Sequence, residues 1–94
     1  MLNSKQKKFL RSEAHSLKPI FQVGKDGVGE KQSNSINDAL KAKELIKVKL
    51  LDTCPETVNE VALEISMGTK ADVVHIIGHT IVFYKSSEKG IYKI

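Results

Sequence analysis

Apolar residues recur at helical spacing in three segments of the chain. The first segment covers residues 4 to about 17, and its apolar stripe comprises Phe9, Leu10, Ala14 and Leu17. Spacing of this kind is typical of a helix that turns one face toward a core. The pattern therefore predicts a first helix that buries these four side chains.

The ends of this segment carry helix boundary residues. Ser4 is a suitable N-cap, because a serine hydroxyl can accept a hydrogen bond from a free N–H of the first turn. Pro19 pushes the residue before it out of the helical region of backbone space. The first helix is therefore expected to end before Pro19.

Two more helical segments follow. Their apolar stripes are Ile36, Ala39 and Leu40 within residues 30 to 43, and Val58, Val61, Ala62 and Ile65 within residues 56 to 66. Gly29 can serve as the N-cap of the second helix, and Asp52 or Thr53 could cap the entry to the third. Gly68 is expected to end the third helix.

Strand-like segments lie between the helices. Residues 45 to 51 are the clearest, because Ile46, Val48 and Leu50 alternate with two lysines and so share one face. Residues 19 to 23 predict a short strand. Two further strands, residues 73 to 77 and 80 to 85, flank a two-residue hairpin turn at Gly78-His79.

The order of elements, α-β-α-β-α-β-β, predicts a single compact α/β domain with a mixed four-stranded sheet. The first two strands are joined through a helix, which favours parallel pairing, whereas the last two form an antiparallel hairpin. A chain of 94 residues is too short for two cores, so the domain should span residues 1–94. Its core should cover about residues 4–85, and the pattern does not place the tail at residues 86–94.

Charge is unevenly distributed along the chain. Residues 1 to 49 hold 11 Lys and Arg against 5 Asp and Glu, a balance of +6, whereas residues 50 to 94 hold 4 against 6, a balance of −2. A one-sided basic surface suits a polyanion, since neutralising phosphates releases counterions. The alternative is a lysine-rich surface that is merely solvated.

Other features narrow the functional class. The single cysteine, Cys54, excludes an internal disulfide, and no apolar run is long enough to span a bilayer. We therefore expect a cytoplasmic protein without a membrane partner. His75 and His79 bracket the hairpin turn without a third ligand at suitable spacing, so no metal is expected. The sequence contains no motif for nucleotide binding or hydrolysis. We therefore expect that the protein is not an enzyme and that it uses no cofactor and no small-molecule substrate.

The sequence Gly24-Lys25-Asp26-Gly27 follows the first predicted strand and precedes the second helix. KH domains use a GxxG loop in this position to hold the backbone of a nucleic acid, and Lys25 would supply positive charge. Asp26 opposes that interpretation, because an acid beside a phosphate weakens binding. A plain strand-to-helix turn that needs glycine for its backbone angles is an equally good explanation.

Three longer segments extend this pattern: "KQKKFLRSEAHSLKPIFQVGKDGV", "DALKAKELIKVKLLD" and "VVHIIGHTIVFYK". In their order and spacing they resemble the CRM domain, the chloroplast RNA splicing and ribosome maturation module, in its small stand-alone bacterial form. The resemblance implies a fold similar to the C-terminal domain of translation initiation factor three. It also implies an RNA-binding GxxG loop and association with precursors of the large ribosomal subunit.

Charge, loop and resemblance together predict an RNA-binding protein that is a monomer and acts on ribosomal RNA. The predicted RNA-binding residues are Gly24, Lys25, Asp26, Gly27, Lys31, Lys5, Lys7, Lys8 and Arg11. An alternative from another class is a protein-interaction module whose basic face binds an acidic protein, since electrostatic attraction speeds both kinds of association.

Overall fold

A computed structural model describes residues 2–92 and 94, so Met1 and Lys93, the latter in the predicted tail, lie outside the described residues. The elements are α1 (Ser4–Ala14), β1 (Phe21–Val23), α2 (Glu30–Lys43), β2 (Leu45–Leu50), α3 (Val58–Thr69), β3 (Asp72–Ile77) and β4 (Thr80–Tyr84). This order confirms the predicted α/β fold. The four strands form one sheet in the order β1-β2-β4-β3, with β1 and β2 parallel and the other pairs antiparallel.

The sheet is covered on both faces. Helices α2 and α3 pack on one face over the larger core, whose central members include Ile36, Val48, Ile65 and Phe83. Helix α1 packs on the opposite face over a smaller cluster, which comprises Leu10, Ala14, Leu45, Val74, Val82 and Tyr84. The fold is therefore a three-layer sandwich, with α1 alone on one side.

Strand β2 has the two faces that its alternation predicted. Ile46, Val48 and Leu50 are buried in the larger core, and Lys47 and Lys49 point to the α1 side. Because α1 covers part of this side, Lys47 is half-buried and its Nζ donates a hydrogen bond to the carbonyl oxygen of Leu17 at 3.0 Å. Lys49 lies beyond the helix and is exposed.

Helix α1 differs from its prediction at both ends. Its N-cap is Asn3 rather than Ser4, because the Asn3 side chain accepts from the N–H of Gln6 while the Gln6 side chain accepts from the N–H of Asn3. The helix ends at Ala14, short of the predicted end. Phe9 is 43% exposed and not a core residue, since Leu10 and Ala14 alone line the buried side of the helix.

Helix α3 is shifted along the chain relative to its prediction. Thr57, not Asp52 or Thr53, is the N-cap, and it forms a reciprocal capping box with Glu60. Gly68 does not end the helix, which runs on to Thr69 and closes with Lys70 in the left-handed conformation at φ +64°. No helix in the described part of the chain is both long enough and apolar enough to cross a membrane.

The tail folds back onto the domain through Glu44, a carboxylate that is fully buried at the end of α2. Glu44 accepts hydrogen bonds from the N–H and the hydroxyl of Ser87 and from the N–H of Tyr92. The ring of Tyr92 then packs edge-on against Tyr84, with ring centres 6.3 Å apart. This anchor places the tail beside α1, on the same face of the sheet.

Candidate functional site

The glycine loop, residues 24–27, shares one end of the sheet with the β3–β4 hairpin turn. Val23 pairs with Leu50 in the parallel ladder, so the loop leaves β1 where β2 also ends. The N–H of Leu50 donates to the carbonyl oxygen of His79 in the hairpin turn at 2.7 Å. We call this end, with residues 24–27, 51–55 and 78–79, the loop end of the sheet.

The glycine loop is a tight turn closed by its own backbone. The N–H of Gly27 donates to the carbonyl oxygen of Gly24 at 2.9 Å, and Gly27 has φ +67°. Lys25 and Asp26 form the exposed tip of the turn. The side chain of Lys25 is therefore free to contact a partner, and so is the carboxylate of Asp26.

The fold itself explains both glycines. A Cβ on Gly24 would lie 3.3 Å from Cδ1 of Leu51, so this position needs a residue that allows close approach. A Cβ on Gly27 would lie 2.9 Å from Oε1 of Glu56 and would also have to adopt a left-handed backbone. A ligand backbone is thus not required to account for the GxxG pattern, which agrees with the interpretation as a strand-to-helix turn.

Glu56 makes the inner side of the loop acidic. Its carboxylate accepts a hydrogen bond from the N–H of Val28, directly after the loop. A hydrogen bond with Glu64, together with repulsion from Glu64 and Glu60, raises the pKa of Glu56. Lys25 is the only cation within residues 24–27. The loop therefore binds an anionic partner only if cations outside the loop also contact that partner.

Such a cation lies on the sheet. At the loop end, the side of the sheet that faces α1 carries one residue from each strand, a set that we call the polar row: Gln22, Lys49, Thr80 and Ile77. The strand register pairs them in sequence, with Gln22 opposite Lys49, Lys49 opposite Thr80, and Thr80 opposite Ile77. Thr80 is half-buried and the other three are exposed, because α1 covers the sheet only farther from this end.

Helix α1 places its cations beside one end of this row. A shallow depression of about 440 Å³ is lined by Lys8, Arg11, Ser12, His15, His75 and Ile77. Lys8, Arg11 and His15 are exposed. The last turn of α1 therefore lies next to Ile77, the β3 member of the polar row.

The structure unites only some of the predicted site residues. The glycine loop lies at the β1 edge of the sheet, and Lys8 and Arg11 lie toward the β3 edge. The two edge strands are three strand spacings apart, roughly 14 Å, and Lys49 stands between them. Lys5 and Lys7 are exposed on α1, whereas Lys31 is exposed on α2, in the layer on the opposite face of the sheet. Lys31 is thus separated from the cations of α1.

The predicted set of RNA-binding residues did not include Lys49, although its outward position in β2 allows it to extend the basic surface from the glycine loop if α1 leaves it uncovered, and it lies between the two edges. The alternation in β2 indicated that its side chain leaves the core. What it lacked was the strand order, which places Gln22 and Thr80 on either side of Lys49. That neighbourhood depends on pairings between distant segments.

The remaining titratable groups of the described residues include His79, Asp52 and Cys54. Nδ1 of His79 lies 3.8 Å from a carboxylate oxygen of Asp52, and both side chains are mostly exposed. Within residues 2–92 and 94, no group of three or more His, Cys, Asp or Glu side chains is arranged to hold a metal ion. Cys54 is half-buried against the larger core.

Comparison with known proteins gives a consistent family match. The sequence model of the CRS1 / YhbY (CRM) domain family matches residues 2–85 of this chain. A Bacillus subtilis protein named "Probable RNA-binding protein YqeI" is 52% identical over 90 residues, which cover 96% of this chain and 94% of the relative. A Haemophilus influenzae protein named "RNA-binding protein" is 41% identical over 89 residues, covering 95% of this chain and 90% of the relative.

A solved structure agrees with the fold. The solution structure of the Staphylococcus aureus protein SAV1595 superposes with a TM-score of 0.80 at 43% sequence identity. The superposition covers 94% of this chain and 92% of that one. The sandwich described above is therefore an architecture that a protein of similar sequence adopts in solution.

Proposed function

Because the chain belongs to the CRS1 / YhbY (CRM) domain family, we propose that it is an RNA-binding protein. RNA lies across the loop end of the sheet, from the glycine loop over the polar row to the last turn of α1. The observation that carries this proposal is the exposed position of Lys49 between Lys25 on one side and Arg11 on the other. The RNA-binding names of two relatives support it.

The chemistry of this surface suits a phosphate backbone. Its cations are lysines and one arginine, which bind phosphate oxygens without reading sequence, and Asp26 and Asp52 are its exposed acids. Gln22 and Thr80 add neutral hydrogen-bonding groups between the cations, and Ile77 offers an apolar contact. A ligand that carries regularly spaced negative charge along a chain meets all four strands and α1 at once.

The acidic-protein alternative from the sequence fits this surface less well. The polar row has only one large apolar side chain, Ile77, whereas stable protein interfaces have a desolvated apolar centre. Nuclease treatment separates the two ideas, because it destroys a complex with RNA and leaves a complex with a protein intact.

The RNA is ribosomal RNA in precursors of the large ribosomal subunit, and the protein acts there as an assembly factor. This part of the proposal rests on the resemblance noted in the sequence. We further propose that the protein is a cytoplasmic monomer that positions RNA and catalyses no reaction. The cations bind and orient a strand.

Crosslinking in cells followed by sequencing of the attached RNA tests the proposal. We expect crosslinks in large-subunit ribosomal RNA, enriched in gradient fractions that contain precursor particles. Lys49→Glu should remove most of them, and Lys41→Glu, a reversal at an exposed lysine on α2, is the matched control. Crosslinks confined to messenger or transfer RNA would refute the proposal that the RNA is ribosomal. An equal loss of crosslinks in the Lys49→Glu and Lys41→Glu variants would refute the proposal that RNA binds across the loop end of the sheet.

A further inference from the structure

The outward face of α3 carries two exposed apolar side chains one helical turn apart. Leu63 is 60% exposed and Met67 is 72% exposed, the two highest values among the large exposed apolar side chains of the described residues. Residues four apart on a helix are neighbours, so the two side chains form one continuous patch. The other side of α3 is already buried in the larger core, so this patch is not needed to hold the helix in place.

Acidic residues without cationic partners surround this patch. Glu60 and Glu64 flank Leu63 and Met67 on α3, and the helix contains no lysine or arginine. Across the portion of the chain that the structure covers, Asp52–His79 is the sole salt bridge. Neither Glu60 nor Glu64 therefore forms an ion pair within the described residues.

Helix capping explains only some of these acids. Glu60 closes the capping box of α3 with Thr57, which lowers the pKa of Glu60, and Glu30 lies in the first turn of α2 where the helix dipole favours an acid. Glu64 lies in the middle of α3 and caps nothing. It crowds Glu56 instead: the hydrogen bond between their carboxyl groups and the repulsion raise the pKa of Glu56. A cation placed here would relieve this crowding.

We propose that the outward face of α3 is a docking surface for a lysine- or arginine-rich segment of another protein that presents apolar residues between its cations. The surface comprises Leu63, Met67, Glu60 and Glu64 and the groove beside α2. Charge complementarity identifies the occupant, since RNA and acidic proteins are repelled by the same glutamates. The surface lies on the opposite side of the sheet from the polar row, so both could be occupied together.

The groove between α2 and α3 fits a cationic side chain. It has a volume of about 330 Å³ and is lined by Val28, Gly29, Glu30, Ser33, Glu64 and Met67. Long basic side chains bury their methylene stems on apolar surface and keep the charged head among polar groups. An arginine of the partner would lay its stem along Val28 and Met67 and direct its guanidinium to Glu30 and Glu64.

Fluorescence anisotropy with a labelled synthetic helix tests the proposal. The probe presents a leucine stripe flanked by arginines. One control peptide replaces the arginines by glutamates, and a second replaces the leucines by serines. The full chain should bind the probe more tightly than either control peptide. Glu64→Lys should weaken binding about tenfold or more, as expected for a close interfacial charge pair, whereas Asp38→Lys on the exposed side of α2 should not.

The double variant Leu63→Ser/Met67→Ser tests the apolar half, and its RNA affinity should equal that of the unaltered chain. Probe binding that is unchanged in this variant, or equal for the arginine and glutamate peptides, overturns the proposal. So does concentration-dependent self-association in sedimentation that this variant abolishes, since the occupant would then be a second copy. Backbone amide shifts that cluster on α3 and the start of α2 would support docking, and shifts confined to α1 would overturn it.

Discussion

Helices α1 and α3 cover opposite faces of the same sheet, yet their exposed sides have opposite charge. Helix α1 carries four cations, Lys5, Lys7, Lys8 and Arg11, and one acid, Glu13. Helix α3 carries two acids and no cation. The net charge of +4 therefore conceals two different surfaces. The α1 side therefore attracts a polyanion, and the α3 side attracts a polycation.

The two helices also differ in how firmly they are held. Helix α3 buries Val61, Ala62, Ile65 and Thr69 in the larger core, whereas α1 buries only Leu10 and Ala14. The layer containing α1 is completed by the tail, through Glu44 and Tyr92. The basic surface thus lies on the less extensively packed layer. A substitution that loosens α1 should therefore lower both the stability of the fold and its affinity for RNA.

Leu10→Ala should have the largest effect. Leu10 is the only large, fully buried side chain of α1, and truncation of such a residue typically lowers the free energy of unfolding by about 2–5 kcal/mol. We expect RNA affinity to fall as well, since α1 would lose its main anchor. Denaturant unfolding measures the first effect. Phe9→Ala, at the exposed neighbouring position, should cost less than about 1 kcal/mol, and an equal loss would mean that α1 is packed differently.

Glu44→Gln should destabilise the tail and with it the α1 layer. Burial alone would raise the pKa of Glu44, but hydrogen bonds from the Ser87 hydroxyl and from the N–H groups of Tyr92, Ser87 and Ile91 outweigh it and lower the pKa to about 2. Loss of hydrogen bonds to a charged group costs about 1.5–3 kcal/mol. Thermal unfolding should show this loss near neutral pH, with Glu88→Gln as an exposed control.

The same carboxylate predicts a pH dependence. Because its folded pKa lies below the ordinary value of 4.5, Glu44 stabilises the fold fully above about pH 4.5 and progressively less as pH falls toward 2. The difference in stability between the unaltered chain and Glu44→Gln should therefore shrink over that interval. A constant difference over that interval would show that the fold does not lower the pKa of Glu44.

Lys49→Glu should weaken RNA binding by about tenfold, since it replaces an attraction to phosphate by a repulsion. Stability should change by less than about 0.5 kcal/mol, because the side chain is exposed. Filter binding with a large-subunit RNA transcript measures the affinity. Glu60 and Glu64 lie on the other face, so Glu64→Gln should leave RNA affinity unchanged. A stronger effect there than at Lys49 would reverse the assignment of the two faces.

Gly27→Asp tests whether the glycine loop belongs to the basic side. The left-handed backbone at φ +67° would cost about 1 kcal/mol for a residue with a side chain, and the new carboxylate would meet Glu56. The domain should remain folded, and RNA affinity should fall severalfold. Gly29→Asp adds the same charge at an unhindered position with φ −96°. Equal RNA affinity of the two variants would mean that the shape of the loop is irrelevant to binding.

The smallest expected effect distinguishes two lysines that the sequence placed in one site. Lys25→Ala should reduce the slope of log affinity against log salt by about one phosphate contact, roughly 0.7 to 0.9. Lys31→Ala should reduce it less, because Lys31 lies on the layer opposite α1. Titrations at several salt concentrations measure both slopes. A larger change at Lys31 would move the RNA path to the α2 side of the loop.

The local features of this protein were predictable from its sequence. Alternation in β2, the helical stripes and the Gly78-His79 turn depend on residues close together in the chain, and the structure has the predicted elements in the predicted order. The errors fell at helix ends and at Phe9, which the apolar stripe of α1 assigned to the core. Asn3 is the N-cap of α1 instead of Ser4, and Thr57 is the N-cap of α3 instead of Thr53. Each forms a reciprocal capping box, with Gln6 and Glu60 respectively, that satisfies two free N–H groups.

Only the tertiary structure decided which surface each charged residue joins. The strand order β1-β2-β4-β3 places Lys49 between Gln22 and Thr80, and it separates Lys31 from the cations of α1. The buried carboxylate of Glu44 likewise has a partner in Ser87, 43 residues away. Neighbourhoods of this kind arise from pairing and packing between distant segments, and periodicity within one segment carries no information about its partner. The sequence by itself therefore determined the elements and, apart from Phe9, their buried faces, and the packing of the layers determined which residues form the proposed binding surface.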